Sequence, residues 1–200
     1  RVRALAGELA EGLRDEEVDF IEALAMPLPA FVIGELLGLD HALRGSFKRW
    51  ADDILSVTPE LPPPEQIARV KATIAELDGY LREVIAARRR APADDAVSDL
   101  LRAEVDGQSL TDTELINFLV VLLLGGLETT THLLGNALLY LSAHPELTAR
   151  LHAEPALAPK FVEEILRYDG PSQSLPRMTT EETTLAGVTL PRGAMVLALV

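Results

Sequence analysis

A carboxylate and three hydroxyls stand together inside an apolar stretch: Glu128, Thr129, Thr130 and Thr131 directly follow Gly125-Gly126-Leu127. A carboxylate beside a hydroxyl can hand on protons or order a water. Two neighbouring residues without side chains leave room for something flat and bulky to lie against the backbone. The same glycines weaken a helix by about 1 kcal/mol each relative to Ala, and local rules tend to fail at functional sites. A blander reading turns Glu128 to solvent and gives the glycines to a neighbouring helix. Against it, the face carrying Glu128 also carries Val121, Leu124, Gly125 and Gly135, at offsets of three, four and seven, a pattern that predicts burial.

Other chemistry-bearing residues are less suggestive. His41, His132, His144 and His152 show no paired metal-ligand spacing, and no metal site is expected. His132, four residues past Glu128, reads more readily as a hydrogen-bonded core histidine than as a ligand. Glu163, Glu164 and Arg167 lie on the side of a short helix opposite its apolar residues, and a Glu–Arg pair at this spacing reads by itself as a solvated surface pair. Arg88-Arg89-Arg90 could hold a phosphate, but cations at a helix C-terminus also suit the helix dipole, and that reading is preferred. No Gly-rich phosphate loop follows a strand, and no Ser–His–Asp set stands out. Zero cysteines exclude disulfides, zinc–cysteine sites and any thiolate ligand within these residues.

The element that must position Glu128 is a long helix. Thr111 and Glu114 have the T-x-x-E spacing by which two side chains satisfy backbone donors at a helix start, with Leu110 and Leu115 placed as a hydrophobic staple. No proline follows until Pro145, so the helix runs for about 32 residues, or about 48 Å. From Phe118 to Leu127 it is apolar on every face, which predicts burial all round. Its uninterrupted apolar run is about a dozen residues where a bilayer needs about 20, so no membrane span is expected.

Ahead of this helix, residues 1–16 read as an amphipathic helix with Val2, Leu5, Leu9 and Leu13 on one face. Pro27 and Pro29 introduce a short helix ended by Gly38. A third helix buries Phe47, Trp50, Ala51, Ile54 and Leu55, and Pro59 stops it. Pro62-Pro63-Pro64 forms an extended connector. Ile67, Val70, Ile74, Leu77, Leu81 and Val84 then make a narrow seam of the coiled-coil type, ending at the three arginines. Asp94 and Asp95 start a short helix through Leu100 and Leu101 that Gly107 closes.

Beyond the long helix, Pro145 begins a brief helix, Pro155 and Pro159 bracket a loop, and residues 160–168 form a helix burying Phe161, Val162, Ile165 and Leu166. Thr183–Ala186 and Val188–Leu190 flank Gly187 as short strands, and Pro191-Arg192-Gly193 turns into the apolar stretch Ala194–Val200. That last strand has no evident partner, and the chain reads as cut from something longer. No helix–strand alternation points to a doubly wound sheet. The fold class is mainly α, with a small β region near the C-terminus.

Two hundred residues suffice for a single domain with a real core. Hydrophobic residues make up 48% and charged residues 24%, an ordinary globular composition. Aromatics are scarce at 4%, so the core is mainly Leu, Ala and Val. A net charge of −13 argues against a nucleic-acid partner, which calls for a basic stripe. It suits a soluble cytoplasmic protein.

With these pieces in order, the chain resembles a soluble bacterial cytochrome P450, a haem-thiolate monooxygenase. Gly125-Gly126-Leu127-Glu128-Thr129-Thr130 resembles the oxygen-activation motif of that family's long central helix. Glu164-Ile165-Leu166-Arg167 resembles its Glu-x-x-Arg helix, and Ser172 to Val200 its haem-propionate arginine segment with the strands that follow. The segment from Val18 to Leu39 also reads like the soluble bacterial members. The resemblance covers essentially all 200 residues as part of one such domain, truncated at both ends.

The resemblance implies roles. Glu128 and Thr129 would deliver protons to haem-bound dioxygen. Gly125 and Gly126 would let haem and dioxygen approach the helix, and Arg177 would pair with a haem propionate. Val121 and Leu124 would line an apolar substrate pocket. Glu164 and Arg167 would form a buried structural ion pair beneath the haem, reversing the surface reading. The family's cysteine thiolate ligand lies outside this chain, so the 200 residues alone would be inactive and bind haem weakly or not at all. The parent would take electrons from NAD(P)H through a ferredoxin-type donor and its reductase, and oxidise a small apolar substrate. The rival is a non-enzymatic helical relative that binds a ligand or protein.

Overall fold

The computed structural model describes residues 1–13, 17–40, 43–56 and 62–200, without the side chains of Arg44, Leu55 and Val105. The expected stop at Pro59, the place of Leu55 in its stripe and His41 fall outside the described residues. Helices dominate, as the sequence predicts, and contacts divide the chain into two compact units, Arg1–Gly135 and Asn136–Val200.

In the first unit, α1 (Val2–Glu11) is shorter than the expected 1–16 and buries none of its residues. Next comes a turn of π-helix, Ile21–Ala25, which periodicity does not reveal. Asp19 caps it, its Oδ1 accepting from the backbone N–H of Ile21 at 2.8 Å. Helix α2 (Pro27–Leu36) has proline in its first turn, where a missing N–H costs nothing, and gives way to Gly38 at φ +64. Helix α3 (Arg44–Leu55) buries Phe47, Trp50 and Ala51. Pro63 is extended (φ −55, ψ 148), and Pro64 opens α4 (Pro64–Arg90).

The seam of α4 is not the one its spacing predicts. Val70, Thr73, Leu77, Leu81 and Ile85 are buried, whereas Ile67 and Ile74 are exposed. The stripe drifts as a straight 3.6-residue helix drifts, because α4 packs on α3 and α5 rather than winding around one partner.

Helix α5 (Ala96–Arg102) is capped by Asp95, whose Oδ1 accepts from the Ser98 N–H at 2.8 Å. Gly107 does not close it. Asp106 (φ 54) and Gly107 (φ 75) instead form the turn of a hairpin, β1 (Glu104–Val105) against β2 (Gln108–Ser109).

The three arginines also do more than face a dipole. Arg88 Nη2 donates to the Gly38 carbonyl at 2.8 Å, and its Nε donates to the Asp95 carboxylate. Arg89 pairs with Asp112. Burial alone would raise the Asp95 carboxyl, but hydrogen bonds from Arg88 and Ser98 overcome it and hold it below the usual carboxylate range.

Helix α6 (Asp112–Ala143) has the expected 32 residues and the expected capping box. Thr111 N–H donates to Glu114 Oε2 at 2.9 Å, and Glu114 N–H to Thr111 Oγ1 at 3.3 Å. The all-round burial expected for Phe118–Leu127 does not occur. Leu115, Ile116, Leu119, Leu123, Leu127 and Thr131 form one buried stripe, while Phe118 and Val121 are 45% and 66% exposed. Much of that stripe joins Phe47, Trp50, Leu77, Leu81 and Val97 in the unit's single core cluster. By length and composition α6 also matches a membrane span, with mean hydropathy 1.5 over its best window. The core helix of a soluble protein meets the same description.

The second unit holds the last turns of α6, α7 (Pro145–Ala153), a 3₁₀ turn at Pro155–Leu157 and α8 (Ala158–Tyr168). Pro159 lies in the first turn of α8, not in a loop. Of the four apolar residues expected to be buried there, only Ile165 is; Val162 and Leu166 are exposed at 44% and 42%.

The C-terminal stretch does have a partner. Strand β3 (Ser174–Met178) pairs antiparallel with β6 (Met195–Leu199), with Arg177 opposite Val196. The hairpin β4 (Thr183–Leu185) and β5 (Val188–Leu190) turns at Ala186 (φ 48) and Gly187 (φ 81).

Candidate functional site

Helix α6 stays helical through Gly125-Gly126 because its preceding turns are seated in the core and its capped start is fixed. The two glycines then do different things. A Cβ added at Gly125 would meet nothing within 4 Å, so that position opens onto free space. A Cβ at Gly126 would come within 3.2 Å of Ile33 Cδ1, so Gly126 is the close approach of α6 to α2. The blander reading of the glycine pair holds for Gly126 and fails for Gly125.

Val121 and Gly125 are exposed, and Thr129 is half-buried one turn beyond Gly125. Thr129 Oγ1 donates to the Gly125 carbonyl at 2.6 Å, which fixes the hydroxyl against the helix. Leu124 is half-buried and packs in part against the core whereas Val121 is exposed, so of the expected pocket pair only Val121 stands fully open. Of the face predicted to be buried, Val121 and Gly125 are exposed, and Leu124, Glu128 and Gly135 are half-buried.

Glu128 is half-buried at the edge of that open face, and no hydrogen bond or ion pair ties it down among the described residues. On its other side lies a cavity of about 310 Å³, lined by Ile21, Met26, Lys48, Ala51, Asp52, Leu127, Glu128, Thr131 and His132. His132 is exposed on α6, not a hydrogen-bonded core histidine. Lys48 Nζ lies 3.3 Å from Asp52 Oδ2 and 3.8 Å from Glu22 Oε1.

Sequence reasoning passed over Thr131. Its buried Oγ1 donates to Leu127 O at 2.9 Å and reaches Ala25 O at 3.2 Å, pinning α6 to the end of the π-helix turn. The signal was available: it is the one threonine of the three on the Leu123–Leu127 stripe.

In the second unit, Glu164 and Arg167 do pair, in a two-pronged contact of 2.8 Å and 2.6 Å. The hydrogen bond from Arg167 holds the Glu164 carboxyl below its ordinary range. The pair is nevertheless on the surface, with side chains 58% and 68% exposed, so the residue-level reading describes it and the buried reading does not. Arg177 on β3 is exposed, and its Nη1 donates only to the neighbouring Pro176 carbonyl at 2.9 Å. No group of three or more metal-ligating side chains forms among the described residues.

Residues 43–200 match the family model described as Cytochrome P450. The chain is similar to cyclomarin C epoxidase CymV of Salinispora arenicola, at 43% identity over 198 residues, covering 98% of this chain and 50% of that protein. It is 39% identical over 182 residues to erythromycin C-12 hydroxylase of Saccharopolyspora erythraea, covering 90% of this chain and 46% of that one. Among solved structures, ligand-free cytochrome P450 TbtJ1 matches 100% of this chain and 53% of its own, with TM-score 0.87 and 40% identity. A mutant of P450 EryK in complex with erythromycin B matches with TM-score 0.89 and 37% identity, over 100% of this chain and 51% of its own. The chain thus spans about half the length of the relatives it matches.

Proposed function

Because the chain belongs to the cytochrome P450 family, we propose that the complete protein is a haem-thiolate monooxygenase. It transfers one oxygen atom from dioxygen to a small apolar substrate. Electrons come from NAD(P)H through a reductase and a ferredoxin-type donor. The relatives named as an epoxidase and a hydroxylase support an oxidase of this class. We place it in the cytoplasm, with no nucleic-acid partner, in keeping with a net charge of −13.

One observation carries the reading. An open face of a core-seated helix presents Val121, a glycine with free space above it, a hydroxyl fixed at 2.6 Å and a carboxylate free to move. A flat macrocycle fits against Gly125, where any larger residue would project into the space. Gly126 serves the same surface indirectly, by letting α6 seat against Ile33. Arg177, with its guanidinium exposed and one weak backbone tie, suits a propionate carboxylate. The haem's thiolate must come from outside these residues, which contain no cysteine. When bound, haem supplies the reductive activation of dioxygen.

The chain's own part is to exclude water and place protons. Val121 gives the substrate side an apolar surface, and Leu124 braces that wall from the core. Thr129 Oγ1 stands at a fixed point on the helix; with its proton given to the Gly125 carbonyl its lone pairs can accept from a water, and it donates to a reacting oxygen only by turning away from that carbonyl. Glu128 holds and releases a proton at its carboxylate, from the edge of the same face. Glu164 and Arg167 pair with each other along α8 and take no part in chemistry.

The test is the reduced, carbon-monoxide-bound absorbance spectrum of the complete protein, with the 200-residue chain alongside. The expected result is the red-shifted Soret band of thiolate-ligated haem in the complete protein and little or no haem in the chain alone. A complete protein that takes up no haem would sink the monooxygenase reading and leave a helical binding protein in its place.

A further inference from the structure

Glu128 stands between two surfaces: the open face that carries Gly125 and the 310 Å³ cavity on its other side. A carboxylate in that position, with no hydrogen-bond partner to fix it, can exchange a proton with either. What it exchanges with on the cavity side decides how protons reach it. Among the described residues, three ionisable groups other than Glu128 line that cavity. Lys48 is engaged with Asp52 and Glu22, and an engaged ammonium is a poor donor near neutral pH. Asp52 belongs to the same ion pair. His132 remains, and an imidazole is the side chain whose ordinary titration falls at about pH 6.5.

His132 is also placed to act. It lies four residues after Glu128, so the two side chains neighbour one another on the helix surface. Both line the cavity, and His132 is exposed whereas Glu128 is half-buried. His132 is thus the more solvent-exposed of the two. Thr131, between them in sequence, is committed to Leu127 O and Ala25 O, which holds this turn of α6 against the π-helix turn and keeps the cavity's floor in place.

We propose that the cavity between α6, α3 and the π-helix turn is the water-side entrance for protons to Glu128, and that His132 is its pH-responsive positioning residue. The step is a proton transfer only. The imidazolium of His132 gives a proton to the Glu128 carboxylate, leaving neutral imidazole and a carboxylic acid; the imidazole is reprotonated from cavity water. The groups facing His132 are Glu128 on its own helix and the Lys48–Asp52–Glu22 cluster, whose single cation is outnumbered by carboxylates.

This inference rests on the monooxygenase reading, and the experiment separates the two. The complete, haem-loaded protein is compared with its His132→Gln and Glu128→Gln variants. The carbon-monoxide spectrum is recorded for each, the His132 ring is titrated by NMR, and substrate oxidation is followed against pH in normal and heavy water. Glu128→Gln should change the His132 titration read by NMR, since it removes the carboxylate that shares the cavity with the imidazole. His132→Gln should leave KM and the spectrum as in wild type, slow oxidation by about tenfold, and flatten the pH profile between about pH 5.5 and 7.5. A wild-type profile and isotope effect in His132→Gln, with the spectrum intact, would overturn this inference alone. So would a His132 titration unmoved by Glu128→Gln. If the wild-type protein shows no haem spectrum, the monooxygenase reading falls and this inference falls with it.

Discussion

The two units of the chain bury their apolar residues very differently. Arg1–Gly135 gathers side chains from α2, α3, α4, α5 and α6 into one cluster, with Leu37, Leu81 and Leu119 fully shielded. Among the described residues of Asn136–Val200, Ile165 is the single buried apolar side chain. That second unit is held by local devices: tight hairpins and a hydrogen bond from Asn136 Nδ2 to Asp169 O at 2.8 Å. Leu175, Met178, Met195, Leu197 and Leu199 all stand exposed on its strands. Burying apolar area stabilises by about 25 cal/mol per Å², whereas exposed ion pairs contribute little. Within these 200 residues the first unit therefore holds most of the buried apolar side chains, and the proposed proton chemistry sits on a helix seated in its core.

The sharpest way to break that contrast is a cavity in the first core. Leu119→Ala removes a fully buried side chain from the α6 stripe and should cost about 3–5 kcal/mol, read as a lowered denaturant midpoint. Leu166→Ala in the second unit, at a position 42% exposed, should cost less than about 1 kcal/mol. Equal losses from the two substitutions would show that the units share stability and that the contrast is false.

The junction of α2, α4 and α5 sharpens the comparison from another side. Gly38 has φ +64, and a Cβ there would run into the Asp95 carboxylate and the Arg88 guanidinium. Gly38→Ala should cost about 2 kcal/mol or more, since it combines left-handed strain with a clash. The Asp95 carboxyl is held below its unfolded value, so its contribution is fully present above the ordinary carboxylate pKa of about 3.9. It is lost as pH falls through the lower folded value. Wild-type stability should thus drop more steeply below about pH 4 than that of Asp95→Asn, measured by urea titration at each pH. Parallel curves would mean that Arg88 does not hold this carboxyl.

What the sequence makes legible follows from how local the cause is. The capping box at Thr111 and Glu114, the 32-residue length of α6 and the proline starts of α2 and α4 are all set by neighbours in the chain. Which side of α6 is buried is not, because a run of apolar residues gives no preferred direction; the packing of α2, α3 and α4 decides it. For the same reason Gly125 and Gly126 look alike in sequence and differ in the fold. The seam of α4 misled because Ile67 and Ile74 are apolar yet lie off the contact line. The turn at Asp106-Gly107 was readable as a hairpin signal and was taken for a helix end. Glu164 and Arg167 form the pair their spacing allows, and in these residues it stands exposed where the resemblance implies burial.

A smaller effect is expected at Thr131, which ties the first unit's long helix to the π-helix turn. Its hydroxyl donates towards two carbonyls, and Ala25, whose oxygen is one of the acceptors, is fully buried. Thr131→Val keeps the shape and removes the donor, leaving the Ala25 carbonyl without this hydrogen bond at a cost of about 1–2 kcal/mol. Thr131→Ser restores the donor and should recover most of the loss. The smallest effect belongs to the second unit. Glu164→Gln removes one partner of an exposed pair, so the thermal midpoint should match wild type, and adding salt should change neither protein's midpoint relative to the other. A clear loss of stability in Glu164→Gln would mean that this pair does work its exposure denies, and the second unit would then be held by electrostatics where the first is held by its core.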